Sequence, residues 1–316
     1  GGVAKEDLGR ENVEALKSNP AEAQKYIEGI KPYVDKSVKA LTDRAANGDT
    51  AGAKDTLKEL IAAGQAGGSK VRDVLVKSVA ENAGNNEQLL YSLQHDIGEL
   101  AKSNEGRDFF HGVADALKGT DLYQSTEWGL IVDQADSERL TAARKAIDDK
   151  YNAATGDDKA KVGAEALQHE LESLPPELAK KLFDDRHTQE LLDNVGRGLL
   201  DNLAGEKNDQ AKATIAALCG ISDRLGPDSQ KKLAGTIARY IPDTTQLGAF
   251  KDTFQDQAKQ GHGLGLALAV TGELNAQGKV KSAFTLADVS LNKLKEVREQ
   301  YEKAKGDREN LDKELA

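Results

Sequence analysis

The residues that can carry chemistry in this chain are few and scattered. Its five histidines, His95, His111, His169, His187 and His262, stand far apart. His169-Glu170 lacks the second histidine that a helical zinc motif places one turn on, and His187 with Glu190 reads as a pair on a helix surface. The single cysteine, Cys219, falls on the apolar stripe Ile215, Leu218, Cys219 and reads as a buried structural thiol with no histidine nearby in sequence. No Gly-x-Ser-x-Gly elbow is present, so nucleophilic catalysis has no local signature. Acid pairs do occur, at Asp148-Asp149, Asp157-Asp158 and Asp184-Asp185. Glycoside hydrolysis needs two acids on opposite walls of a cleft, whereas adjacent acids at helix ends complement the positive N-terminus of a helix. Gly261-His262-Gly263-Leu264-Gly265 is the one glycine-rich stretch, but no strand precedes it and no Lys-Ser/Thr follows. Glycines that let two helices approach closely explain it better. The expectation is therefore no catalytic set, no metal site and no cofactor.

Recognition is the other chemistry to look for. Trp128 and Tyr123 lie in an aromatic-rich stretch, and Arg186-His187 follows the acidic pair at 184–185. Trp, Tyr and Arg are natural interface anchors when exposed. These four are the candidate binding residues, with a core role for Trp128 and Tyr123 as the competing reading.

The elements that must position them are helices. Asn19-Pro20-Ala21-Glu22 supplies a cap, a first-turn proline and an acidic third position, and Pro32 is read as opening a further helix that closes at Gly48. Apolar residues then recur at spacings of three and four: Leu57, Leu60, Ile61 up to a stop at Gly64; Val71, Val74, Leu75, Val79 after Gly67-Gly68; Leu89, Leu93, Ile97; and Phe109, Phe110, Val113, Leu117. The stretch from Thr120 to Gln134 is the least regular. Gly263 to Leu274 is apolar on nearly all sides and is expected to be central. No window alternates apolar and polar residues as a strand would.

A phrase also repeats. Ala53-Lys54…Leu57…Leu60, Ala160-Lys161…Leu167 and Ala211-Lys212…Leu218 share one pattern, and the last two copies lie 51 residues apart. Their alignment runs on into Pro176-Glu177…Lys180-Lys181-Leu182 and Pro227-Asp228…Lys231-Lys232-Leu233, with Leu191 to Leu203 read as an inserted helix. Self-similarity at this period indicates stacked hairpins. The fold expected is all-α: an irregular, solenoid-like helical repeat or stacked helix-hairpin array with a long C-terminal helix. Its parts are an N-terminal helical subdomain at 1–119, an irregular aromatic connector and helix at 120–155, a helical-repeat subdomain at 156–277, and a charged helix at 278–316.

Composition narrows the partners. The chain has 316 residues, a net charge of −10 and only 4% aromatics, with charges of both signs interspersed. Nucleic-acid binding needs a concentrated basic face, which is lacking. No segment approaches the ~18–20 apolar residues of a membrane span. A protein partner is expected, with an oligomer through 278–316 as a further possibility. Ala287, Leu291, Leu294, Val297, Tyr301 and Ala304 keep a helical 3–4 spacing there, and the chain turns almost wholly charged beyond Gly306. Methionine is absent where ordinary usage would give about six, and the chain begins Gly1-Gly2. These suggest a piece of a longer protein, residing in a bacterial cytoplasm or exported by a route that needs no signal peptide in this segment.

Leu174-Pro175-Pro176-Glu177-Leu178, an apolar helix, Asp184-Asp185, and then Gln189-Glu190-Leu191-Leu192 together resemble the degenerate helical-repeat units of very large bacterial secreted or effector-type proteins. The resemblance spans about 20 residues, with an echo at 226–235. It implies a helical scaffold or delivery region of a long multi-domain protein, and it carries no functional residues across. The function expected is a non-enzymatic helical scaffold or protein–protein interaction region of such a protein. The alternatives are a hydrolase or effector enzyme with an acid pair in a helical domain, and an oligomerisation module.

Overall fold

Caps and apolar spacing set the helices. A computed structural model of the chain describes residues 20–315, and among these every regular element is helical. Asn19, the expected first cap, lies outside the described residues. The chain divides into two compact units at Arg139/Leu140.

The described part of the first unit contains α1 (Pro20–Ala46), α2 (Thr50–Ala83), α3 (Glu87–Leu100), α4 (Asn104–Leu117), the single turn α5 (Asp121–Gln124) and the start of α6 (Trp128–Ala153). The first four junctions are each closed by a side chain that accepts from an otherwise unpaired backbone N–H: Asp49 from Gly52, Asn86 from Leu89, Ser103 from Gly106 and Thr120 from Tyr123. Pro32 does not open a helix; it lies inside α1. The carbonyl it deprives of a donor belongs to Glu28, and both residues are exposed, so water can serve that oxygen. Likewise α2 does not stop at Gly64. It runs on to Gly68, whose φ of 78° and ψ of −173° break the helical path. Helix α2 is the hub, packing against α1, α3 and α4. The core joins Val34, Val38 and Leu41 of α1 to Leu57, Leu75 and Val79 of α2, Leu93 and Ile97 of α3, and Phe109, Phe110 and Val113 of α4.

The second unit takes the remainder of α6, then α7 (Lys159–Ser173), α8 (Pro176–Asp184), α9 (Arg186–Ala204), α10 (Asn208–Asp223), α11 (Pro227–Tyr240), α12 (Gly248–Lys259), α13 (Leu264–Ala276) and α14 (Val280–Leu315). Its helices form two rows. In one, α7 packs on α10, α10 on α12 and α12 on α14; in the other, α9 packs on α11, α11 on α13 and α13 on α14. This is the stacked-hairpin arrangement that the 51-residue repeat implies, and it ends in a long C-terminal helix.

The pairing of helices differs from the sequence alignment in one respect. The helix stacked on α11 is α9, not α8, which packs against α7 and α9. Nine residues of α8 give two and a half turns, too short to line the neighbouring hairpin, so the helix read as an insertion fills the row. The core is Leu-, Ile- and Ala-rich, with Ala164, Leu167, Ala211, Ile215, Leu218, Ala234, Ala238, Leu266 and Val270 all inaccessible or nearly so. Small side chains allow such close packing. Helix α13 is central, as expected, with neighbours in both rows, although Leu268 faces outward. The glycine stretch before it serves close approach: a Cβ on Gly263 would stand 2.4 Å from Cys219 Sγ, and its φ of 74° is a left-handed turn that caps α13. No helix among the described residues is long and apolar enough to cross a membrane.

Candidate functional site

Helices α9, α11 and α13 lie side by side, so residues at the same helical phase form parallel rows on one face. On α9 that row is Arg186, Glu190, Asp193 and Arg197, spaced 4, 3 and 4 residues apart, as one face of a helix requires. On α11 it is Asp228, Lys231, Lys232 and Arg239, and on α13 it is Glu273 and Gln277. Together they line an open groove of about 1010 Å³. Gly235 and Thr236 on α11 contribute to its lining without long side chains, which gives it depth.

A hydrogen-bonded cluster fixes one end. Asp193 Oδ1 accepts from Arg239 Nη1 at 2.9 Å and from the Tyr240 hydroxyl at 2.6 Å. Arg197 reaches the other carboxylate oxygen at 3.3 Å and donates through Nε to Tyr240 Oη at 3.1 Å. Its guanidinium also sits 5.7 Å from the Tyr240 ring centroid, within cation–π range. The ring can lie this low because residue 196 is glycine; a Cβ there would stand 2.8 Å from it. At the other end Arg186 Nε donates to Glu190 Oε1 at 3.1 Å. The groove therefore presents organised cations and anions, and no Ser, Cys or His lines it. It can bind charged groups through ion pairs and charge-assisted hydrogen bonds.

The candidate residues from the sequence separate. Arg186 lines the groove. His187 does not: its Nε2 turns to Asp148 of α6, 2.8 Å and 2.9 Å from the two carboxylate oxygens. Asp185, one of the acid pair, caps α9 by accepting from His187 N, the role that adjacent acids at a helix start commonly take.

Trp128 and Tyr123 meet in the first unit, with ring centroids 6.2 Å apart at 79°. Trp128 also meets Phe110 edge-on at 6.0 Å and is 0% exposed. It is a core residue, so it offers no side chain to a partner, and the exposed-anchor reading fails for it. Tyr123 is half-buried, and burial pushes its phenol above the ordinary tyrosine value.

A second set of charges lies in the first unit's interior. Arg107 Nε donates to Asp136 Oδ1 at 2.9 Å and Nη2 to Oδ2 at 3.3 Å, while His111 Nε2 stands 2.8 Å from Oδ2. Arg107 and Asp136 are both buried. Burial pushes the Asp136 carboxyl upward, but hydrogen bonds from His111 and Arg107 and the nearby positive charge outweigh it, and the carboxyl lies below its ordinary range. Arg72 extends the network, donating to Asp108 at 2.9 Å. These groups satisfy one another and tie α2, α4 and α6 together.

Cys219 is buried, and that burial, with the charge of Asp223, pushes its thiol up to about 12, leaving it protonated and unreactive at neutral pH. No group of three or more His, Cys, Asp or Glu suited to a metal ion occurs among the described residues.

Sequence reading found Arg186 but missed Asp193, Arg197, Arg239 and Tyr240. The signal was the 4-3-4 run of charged residues from Arg186 to Arg197, two acids flanked by two arginines. It becomes a site only when the neighbouring row is known. No protein-family model matches the chain, and no solved structure matches it.

Proposed function

We propose that the chain is a non-enzymatic helical interaction region, and that the groove across α9, α11 and α13 is where it holds a polypeptide partner. The observation that carries this reading is the Asp193 cluster: a half-buried carboxylate flanked by two exposed arginines from two adjoining helices, positioned before any ligand arrives. Preorganised side chains lose less freedom on binding and so serve recognition well. The groove mixes cations with anions along three helices, so the segment it suits is an extended or helical peptide bearing both signs. A phosphate backbone is disfavoured by the four carboxylates that line it, Glu190, Asp193, Asp228 and Glu273. No Leu, Ile, Val or Phe lines the groove for an apolar helix to pack against.

The Leu-Pro-Pro-Glu-Leu stretch and its echo support placing this region in a long bacterial protein of the secreted or effector class, where stacked hairpins commonly present extended surfaces. The test is selection of a random peptide library on the intact chain, followed by binding of the selected peptides to Asp193→Arg and Lys232→Glu variants. Binders that carry both charges, weaken in either variant and weaken with added salt are expected. Selected peptides that bind both variants unchanged would overturn the assignment of the groove.

A further inference from the structure

Helix α14 has two apolar faces, and among the described residues the second unit covers only one. Ala283, Leu286 and Val289 pack into the second unit's core. Val280, Phe284, Leu291, Leu294 and Tyr301 do not: they are 63%, 75%, 62%, 63% and 67% exposed. Of the twelve exposed large apolar side chains among the described residues, eight are on this helix, and the other four stand singly on other helices. Lone exposed apolar residues are ordinary, whereas a run of them on successive turns marks a contact surface.

Their spacing is that of a coiled-coil seam. Val280, Phe284, Ala287, Leu291, Leu294, Arg298, Tyr301 and Lys305 alternate steps of four and three, the repeat that keeps one face toward a partner helix. We infer that a second copy of this chain covers the seam, with the two α14 helices antiparallel and crossing between Leu291 and Leu294.

The self-complementarity of the sequence carries the choice of occupant. In the antiparallel register Leu291 of one copy meets Leu294 of the other, and Phe284 meets Tyr301. Arg298 then falls opposite Ala287 and Lys305 opposite Val280, so that their aliphatic stems lie across small or apolar positions while the charges reach water. Flanking residues match in sign as well: Lys281 faces Glu302, and Asp288, which already accepts from Lys251 at 2.9 Å, faces Lys295, each twice by symmetry. A parallel pair would instead set Arg298 on Arg298 and Lys305 on Lys305. From Leu291 onward the helix carries seven basic and seven acidic residues, a neutral strip in a chain of net charge −10, so two copies can approach along it. A membrane surface is a poorer occupant, since interfacial helices carry a predominantly basic polar face.

Sedimentation velocity of the whole chain over a range of concentrations tests this, with circular dichroism to show that each variant keeps its helices. The chain is expected to dimerise, and Leu291→Glu, on an exposed position, should weaken the dimer by at least ~tenfold by placing a charge in the seam. Lys281→Glu should weaken it by roughly two- to fivefold, with Lys281→Glu/Glu302→Lys restoring it. Residues 281 and 302 lie too far apart along one helix to touch, so rescue reports contact between copies in this register. A monomer at every concentration, a dimer indifferent to Leu291→Glu, or a failure of the double variant to restore pairing would each overturn the proposal. So would a monomer that cosediments with anionic phospholipid vesicles. None of these residues lines the groove, so this result and the peptide selection are independent.

Discussion

Arg107, His111 and Asp136 meet inside the first unit, whereas Asp193, Arg197, Arg239 and Tyr240 meet on the face of the second. Both sets are hydrogen-bonded clusters drawn from separate helices. They differ in what surrounds them. The first is buried in the unit whose core holds Phe109, Phe110 and Trp128, and its charges are consumed by one another. The second lies on a wall of an open groove, where water and any incoming peptide compete for the same atoms. A buried charge pair is costly to break and has little to offer a ligand, while an exposed one adds little stability and remains available. The same kinds of residue thus serve cohesion in one unit and, in the function proposed, recognition in the other.

The largest expected effect breaks the cohesive side. Trp128→Ala removes the largest fully buried side chain and two edge-on ring contacts, and should destabilise the first unit by about 4 kcal/mol. Urea unfolding followed by circular dichroism measures it. Peptide binding in the groove at temperatures where the variant stays folded should be unchanged; a loss of binding there would blur the division between the two regions.

Asp136→Ala comes next. It takes the carboxylate away from the buried Arg107 guanidinium, whose contact to Asp108 is longer at 3.4 Å, and removing one partner of such a pair typically costs about 3 kcal/mol. The pH dependence has a definite sign. Because the folded carboxyl lies below its unfolded value, Asp136 stabilises the fold fully above the unfolded value near ~4. That contribution is lost as pH falls through the lower, folded value. Asp136→Asn should therefore flatten the acid limb of a stability profile below about pH 4. A limb of unchanged slope would mean that other carboxylates govern acid unfolding.

Gly263→Ala probes the second unit's cohesion. The new methyl would require a left-handed conformation and would press on Cys219 Sγ, together costing about 2–3 kcal/mol. Adding Cys219→Ala should recover the part due to the Sγ contact and leave the backbone part together with the 2.9 Å approach to the Cβ of residue 219. Full recovery, or none, in thermal unfolding would show that one of the two causes is absent.

These contrasts were unequally legible in the sequence. The all-α class was plain, because Pro20, Gly48 and Gly67-Gly68 punctuate runs whose apolar residues recur at three and four. The repeat at 160–167 and 211–218 announced that α7 and α10 would be neighbours, and they are. What could not be read was which helix stands beside α11. Sequence likeness points to α8 through its shared Pro-acid start, but contact is decided by length, and α9 is the helix long enough to reach. The groove follows from that pairing, so Asp193 and Arg239, 46 positions apart, had no local signal. The Arg107–Asp136 pair was hidden for the same reason. Trp128 was conspicuous for being the sole tryptophan, yet rarity alone does not distinguish an anchor from a core residue; its neighbours Phe110 and Tyr123 do.

The smallest expected effect on stability is the sharpest test of the comparison. Asp193→Ala removes the acceptor shared by Arg239, Arg197 and Tyr240, three interactions at once, whereas Asp136→Ala removes the acceptor of Arg107 and His111. Arg107 reaches Asp136 twice and His111 once, so counting bonds would rank the two carboxylates equal. Surroundings rank Asp193 lower, because Arg197 and Arg239 are exposed and the freed cations are taken up by water at little cost. Unfolding of Asp193→Ala should differ from that of the unsubstituted chain by less than about 1 kcal/mol, while affinity for a groove-binding peptide falls. If Asp193→Ala instead cost as much stability as Asp136→Ala, the cluster would be a cohesive device like its counterpart, and the groove would lose the feature that argues for recognition.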